Sequence, residues 1–110
     1  MASLSTHVLD TATGRPAAGL RVTLEAADGS VLAEALTDDD GRVGTLAGDL
    51  TAEDHRIRFD TGAWFAGQGI EAFYPEVVVA FTVAADEPSD EHFHVPLLLS
   101  PFGYSTYRGS

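Results

Sequence analysis

Apolar and polar residues alternate along much of this chain, as they do in β-strands that bury one face. In residues 20–26, each even-numbered side chain is apolar and each odd-numbered one is polar or charged. Turn-forming pairs such as Asp28-Gly29 separate segments of this kind and favour tight hairpins. The pattern predicts strands at residues 4–10, 20–26, 31–37, 55–60, 76–84, 91–99 and 104–108. Short strands joined by close turns indicate an all-β sandwich, and we expect residues 1–110 to form a single domain.

Three segments depart from simple alternation. Residues 76–84 are rich in valine and apolar on both faces, which favours a central strand. Residues 61–68 predict the only helix, with Thr61 as its capping residue. Residues 44–53 are acidic and irregular in pattern, so we predict no strand there.

The charge of the chain narrows its possible partners. Among 110 residues there are 6 Lys+Arg and 17 Asp+Glu, which gives a net charge of -11. Nucleic-acid binding and polybasic membrane contact both need a basic surface, so we expect neither. The chain has no cysteine, which excludes disulfides, thiolate metal sites and cysteine nucleophiles. Residues 1–20 lack a basic segment followed by an apolar one, so we expect a cytoplasmic protein.

The end of the chain differs from the rest in composition. From His92 to Ser110 the only charged side chain is Arg108. Two interpretations stay open: the segment is core strand, or it forms an interface between copies of the chain.

Histidines that point outward from the predicted strands are candidate functional residues. His92 and His94 share one face of a predicted strand, opposite the apolar Phe93, and His7 lies opposite Val8 in the same way. Such histidines suit acid–base catalysis, and a His-x-His pair also suits zinc. They are equally compatible with ordinary surface histidines, which is also our interpretation of His55.

Two arginines are candidates for binding an anion. Arg42 follows a tight turn, where it is either a solvated residue or a planar fork for a carboxylate or enolate. Arg108 either has such a role or pairs with the carboxylate of Ser110 or an acidic neighbour. The chain has no Gly-x-Ser-x-Gly elbow and no phosphate-binding loop. Histidine and arginine together fit acid–base catalysis with water as the nucleophile.

Several motifs resemble a known family. The opening, Leu4-Ser5-Thr6-His7-Val8-Leu9-Asp10 with Thr13-Gly14-Arg15-Pro16-Ala17, resembles the start of the transthyretin-like proteins. Asp40-Gly41-Arg42 and Phe73-Tyr74-Pro75-Glu76-Val77 fit the middle. The ending, from His92-Phe93-His94-Val95-Pro96 to Tyr107-Arg108-Gly109-Ser110, resembles the signature of the 5-hydroxyisourate hydrolases within that family.

The resemblance implies a fold, an assembly and a reaction. The fold is a transthyretin-like (prealbumin-like) sandwich of two four-stranded sheets with one short helix. The assembly is a homotetramer, a dimer of dimers with active sites between the dimers. The reaction opens the N1–C6 amide bond of 5-hydroxyisourate with water, giving 2-oxo-4-hydroxy-4-carboxy-5-ureidoimidazoline in the degradation of urate to allantoin. It implies no metal and no organic cofactor.

The resemblance also implies roles for particular residues. His7 and His94 are the candidate bases, and the sequence leaves open which of them takes the proton. Arg42 would hold the anionic substrate and the developing oxyanion, and Ser110 would help to order the water. The substrate-binding set is completed by Tyr107, Arg108 and Gly109.

Two other functions stay open. Transthyretin uses this fold as a carrier of small hydrophobic molecules, and a fold alone does not decide function. A sandwich module for adhesion or carbohydrate contact would need neither a tetramer nor the histidines.

Overall fold

Two β-sheets, built mainly from the strands that alternation predicts, enclose the core of this protein. The structure is a computed structural model that describes residues 2–86 and 90–109. Its elements in chain order are β1 (Ala2–Asp10), β2 (Arg15–Pro16), β3 (Arg21–Glu25), β4 (Val31–Leu36), β5 (Arg42–Leu50), β6 (Asp54–Phe59), α1 (Thr61–Ala66), β7 (Val77–Thr82), β8 (His92–Ser100) and β9 (Gly103–Thr106). None of the helical structure in the described residues is long and apolar enough to cross a membrane.

Strand β1 organises the first sheet. It pairs in parallel with β8, in a register that runs from Ser3 opposite His92 to Asp10 opposite Leu99. Its other side pairs antiparallel with β5 and, over its last residues, with the short β2. Strand β9 continues the sheet beyond β8. The second sheet is antiparallel throughout and has the order β4-β3-β6-β7.

The core lies between the two sheets and confirms the alternation. Leu4 and Val8 of β1 are fully buried, as are Val22 and Leu24 of β3. In β8, Phe93, Val95, Leu97 and Leu99 face inward, as the sequence predicts. Burying a side chain of this size contributes about 1.5–3 kcal/mol, so these rows fix which face of each strand points outward. The described part of the chain therefore has the predicted sandwich with one short helix.

Strand β5 corrects the expectation that residues 44–53 are irregular. The segment from Arg42 to Leu50 pairs with β1, but the register shifts twice along the way. Because of these irregularities the buried residues Val43 and Leu46 are three positions apart rather than two. A bulge of this kind breaks the alternation by which a strand is recognised in a sequence.

Strand β7 was expected at the centre of its sheet and lies at the edge instead. Val77 is buried, whereas Val78 on the opposite face is 40% exposed. A strand with apolar residues on both faces does not need a neighbouring strand at each of its two edges. One of its faces can instead be covered by another molecule.

The helix is shorter than the predicted 61–68, and Thr61 is not its cap. Asp60 occupies the N-cap position without a side-chain capping bond, and Thr61 is buried within the first turn. Tertiary contacts hold the helix instead: Phe65 enters the core, and the Trp64 indole donates a 2.8 Å hydrogen bond to the Ala18 carbonyl.

The interpretation of His55 as a surface residue is wrong. The side chain is fully buried, stacks on Phe81 at 5.6 Å, and has Nδ1 3.1 Å from the Glu53 carbonyl. It lies on the same face of β6 as Ile57 and Phe59, so the alternation itself places it toward the core.

Candidate active site

The strands on either side of β1 bring polar side chains together on the outer face of the first sheet. Antiparallel pairing sets His7 opposite Arg42, and parallel pairing sets Ser5 beside His94. Facing residues of paired strands project to the same side of a sheet. Val8, the neighbour of His7 in β1, projects into the core. His7, Arg42, Ser5 and His94 therefore project to the opposite, outer side of the sheet.

A groove of about 340 Å³ opens on this face. Its walls are formed by Ser5, Thr6, Arg42, Val43, Gly44, His92 and His94. His7 is half-buried and lies opposite Arg42 in the register, beside the groove rather than among its lining residues. The volume is in the range of sites that hold a small organic molecule.

An acidic turn positions Arg42. One carboxylate oxygen of Asp38 accepts hydrogen bonds from the backbone N–H groups of Asp40 and Arg42, both at 2.9 Å. Gly41 has a φ of 75°, and its carbonyl accepts a 2.8 Å bond from the Val8 amide, which ties the turn to β1. Within residues 2–86 and 90–109 no carboxylate is within ion-pair distance of the Arg42 guanidinium. The guanidinium is therefore available to an anion.

The Ser5 hydroxyl is hydrogen-bonded to the His94 imidazole. The Ser5 hydroxyl oxygen lies 2.8 Å from His94 Nδ1 and 2.8 Å from His92 Nε2. The outer nitrogen of His92 is in turn hydrogen-bonded to the hydroxyl of Ser3. His92 therefore contacts His94 through a serine between them.

Gly109 is the tail residue that meets His94. Its amide donates a 2.8 Å bond to the His94 carbonyl, and the two residues form an isolated antiparallel bridge. A Cβ atom built on Gly109 would lie 2.6 Å from His94 Cδ2, closer than any normal contact. Glycine is required here because the backbone itself packs against the imidazole ring.

The other tail residues lie elsewhere in this chain. The Arg108 guanidinium stacks over Phe93, 4.7 Å from the ring centroid, on the opposite side of β8 from His94. Arg108 and the largely exposed Tyr107 line a second cavity of about 330 Å³. Ser110 lies outside the described residues. The structure thus joins Gly109 to the histidine face and places Tyr107 and Arg108 apart from it.

Ser5 is the site residue that the sequence reasoning missed. Alternation already puts Ser5 on the face of His7, but its contact with His94 depends on the parallel pairing of strands 89 positions apart. Within the residues that the structure describes, no group of three or more acidic or histidine side chains is arranged to hold a metal ion.

Comparison with known proteins gives this geometry a context. The family profile described as "HIUase/Transthyretin family" matches residues 4–109. A protein of Caulobacter vibrioides named 5-hydroxyisourate hydrolase is 46% identical over 118 residues, covering 100% of both chains. The structure of Klebsiella pneumoniae 5-hydroxyisourate hydrolase superposes with a TM-score of 0.89 at 41% identity, covering 98% of this chain and 99% of that one. Transthyretin from Sparus aurata superposes with a TM-score of 0.87 at 30% identity, covering 96% and 95%.

The chain belongs to the HIUase/transthyretin family. A match that spans 4–109 includes every described residue of the polar face, from Ser5 to Gly109. The family contains both hydrolases and transthyretins, so membership alone does not decide which of these functions this chain has. The side chains of the polar face must decide it.

The surroundings of His94 favour its neutral imidazole. Burial lowers the pKa of His94 below the ordinary 6.5, and repulsion from the Arg42 guanidinium, and from His7 and His92 whenever they are protonated, lowers it further. A neutral imidazole accepts a proton, whereas a protonated one cannot. A proton acceptor and a guanidinium that has no ion-pair partner among the described residues therefore line one groove. These two groups suit the attack of water on an anionic amide.

Proposed function

We infer that this chain is a 5-hydroxyisourate hydrolase. The observation that carries the inference is the shared groove, in which the neutral His94 lies on the same face as Arg42. The inference is supported by the full-length similarity to proteins that bear this name. We treat residues 1–110 as one hydrolase domain that acts in the cytoplasm.

The proposed reaction is attack of water on the C6 carbonyl carbon of the substrate. His94 accepts a proton from the water as its oxygen bonds to C6. The resulting oxyanion is stabilised by the guanidinium of Arg42, whose planar fork suits a delocalised anion. The C6–N1 bond then breaks, N1 takes the proton that His94 accepted, and C6 stays bonded to C5 as a carboxylic acid that ionises to a carboxylate. A positioned base contributes about 10²–10⁴ in rate to a step of this kind.

His7 and the tail complete the proposed site. His7, opposite Arg42, is the second group able to exchange a proton on this face. Gly109 packs against His94, and we retain Tyr107, Arg108 and Ser110 as residues that close the site around the substrate. Since Tyr107 and Arg108 lie apart from His94 within one chain, this role requires a second chain.

The assembly we propose is a homotetramer, a dimer of dimers. Among the large apolar side chains that remain exposed on the chain are Phe73 at 70%, Phe102 at 69%, Tyr107 at 58%, Tyr104 at 44% and Val78 at 40%. The last two lie on β9 and β7, the edge strands of the two sheets. Exposed apolar surface next to unpaired edges is typical of contacts between copies. Light scattering during size-exclusion chromatography should give four times the chain mass of 11.6 kDa.

The test is the ultraviolet decay of 5-hydroxyisourate generated in place from urate by a urate oxidase. We expect decay much faster than in buffer, and loss of this acceleration when residues 107–110 are removed. Decay no faster than in buffer, from a protein shown to be tetrameric, would favour the second candidate. That candidate is a small-molecule carrier without catalysis, suggested by the similarity to the transthyretin of Sparus aurata.

A further inference from the structure

Four side chains form one continuous hydrogen-bonded row beneath the groove. Ser3 contacts His92 Nδ1, His92 Nε2 lies 2.8 Å from the Ser5 hydroxyl, and that hydroxyl lies 2.8 Å from His94 Nδ1. The row follows from the register, because Ser3 pairs with His92 and Ser5 with His94 along β1 and β8. Ser5 is its central member and is 8% exposed, so its hydroxyl is enclosed by the two imidazoles.

Because Ser5 has a single hydroxyl hydrogen, the tautomers of His92 and His94 depend on each other. A serine hydroxyl has one hydrogen to donate and lone pairs with which to accept. When its own hydrogen is used within the row, the hydroxyl donates to one ring nitrogen and accepts from the other. Either His94 carries its hydrogen on Nδ1 and His92 Nε2 is bare, or the reverse holds. Ser3 satisfies the outer nitrogen of His92 in both cases, since its hydroxyl also donates or accepts.

Only one of these two states allows His94 to work as a base. With the hydrogen on Nδ1, donated to Ser5, Nε2 has a free lone pair for a proton from water. Nδ1 still donates to Ser5 after that proton is bound, so proton uptake needs no rearrangement of the row. In the opposite state Ser5 donates to Nδ1 and the hydrogen occupies Nε2, so His94 has no site left for a proton.

We propose that Ser5 is a positioning residue that fixes His94 as the Nδ1–H tautomer, with His92 and Ser3 completing the row. The choice of this tautomer rests on the proposed function, because it assumes that His94 is the base. Ser5 acts through His94 in this proposal, since its hydroxyl accepts from His94 Nδ1–H and donates to His92 Nε2.

The first experiment is a long-range ¹H–¹⁵N NMR spectrum of the full chain labelled with ¹⁵N-histidine, recorded well above pH 6.5. The Asn variant of His94 (His94→Asn) assigns the resonances. We expect His94 to be the Nδ1–H form in the unmodified protein. An Nε2–H form would overturn the proposal, and this result requires no variant of Ser5 to fold.

The second experiment is Ser5→Ala, which removes only the hydroxyl. We expect kcat to fall about 10- to 100-fold, the usual cost of losing a group that orients a functional histidine, with KM within about twofold. The Nδ1–H population of His94 should fall as well, whereas Ser5→Thr, which keeps a hydroxyl, should restore both. The matched control is Ser30→Ala, which removes a serine hydroxyl bonded to Asp28 in the turn between β3 and β4 and should change neither.

The outcomes separate this proposal from the proposed function. Ser5→Ala with an unchanged tautomer and unchanged kcat would overturn the role of Ser5 and leave the hydrolase intact. Absence of turnover in the unmodified tetramer would overturn the hydrolase. In that case an Nδ1–H spectrum that changes in Ser5→Ala would still show that Ser5 fixes the tautomer.

Discussion

At the scale of single residues, the function depends on a few side chains whose surroundings differ from those of ordinary surface groups. Arg42 is exposed, yet Asp38 holds its backbone and no carboxylate in the described chain neutralises it. By contrast, the exposed Arg21 forms an ion pair with Glu34 at 3.0 Å. What also distinguishes Arg42 is that it lines the same groove as His94.

Replacing Arg42 by Ala tests its role directly. Loss of a group that stabilises an oxyanion typically costs about 10²–10³ in rate, and we expect a fall of this size in kcat/KM. Arg42→Lys should recover only part of it, because an ammonium lacks the planar fork. The control is Arg21→Ala, which should stay close to the unmodified enzyme. Unchanged kinetics in Arg42→Ala would remove the anion-binding role.

The pH profile reports the lowered pKa of His94. The base is active when neutral, so kcat/KM should fall on the acid side, with a midpoint below the ordinary 6.5. Arg42 is one cause of the lowering, so the residual activity of Arg42→Ala should have its acid midpoint at a higher pH. A midpoint above 6.5 in the unmodified enzyme would contradict the assignment of His94 as the base.

Gly109 offers a test of how closely the tail supports His94. In Gly109→Ala the new Cβ meets His94 Cδ2 at 2.6 Å, so either the ring or the tail must move. A misplacement of about 1 Å in a catalytic group costs about 10²-fold, which is the loss of kcat/KM we expect. Gly103→Ala is the control in the same tail, because its Cβ meets only Ser100 Oγ at 3.6 Å. Equal activity of the two variants would mean that the tail does not position the ring.

At the scale of elements, the sequence predicts which face of a strand is buried better than it predicts which strands pair with each other. Alternation identified the buried side of β1, β3 and β8, and with it the outward direction of His7 and His94. It failed for β5, where register shifts change the spacing of buried residues, and for the edge position of β7. The contact between Ser5 and His94 was equally inaccessible, since a parallel pair is not joined by a turn that fixes its register.

The turn before β5 both begins that strand and positions Arg42 of the candidate site. In Gly41→Ala, the φ of 75° is strained and the new Cβ collides with the Val8 carbonyl oxygen. We expect a loss of at least about 2 kcal/mol in the free energy of unfolding, measured by urea denaturation. Gly29→Ala, with a φ of 88° and open space around it, should lose only about 1–2 kcal/mol. Equal losses would show that contact with β1 adds nothing to the turn.

At the scale of the whole molecule, the net charge of -11 opposes the binding of an anionic substrate. The permanent positive charge of the site is confined to Arg42, so attraction acts at short range and repulsion at long range. Salt reduces the Debye length from about 30 Å at 0.01 M to about 8 Å at 0.15 M, which screens the distant carboxylates more than the groups in contact.

We therefore expect kcat/KM to rise as ionic strength increases from about 0.01 to 0.15 M. Steady-state kinetics in sodium chloride and in potassium chloride should give the same rise, because screening does not depend on the identity of the cation. In Arg42→Ala the short-range attraction is lost while the repulsion remains, so the relative rise should be at least as large. A fall in kcat/KM with salt would mean that the positive face steers the substrate from a distance, and that the field at the groove is set by the site rather than by the net charge.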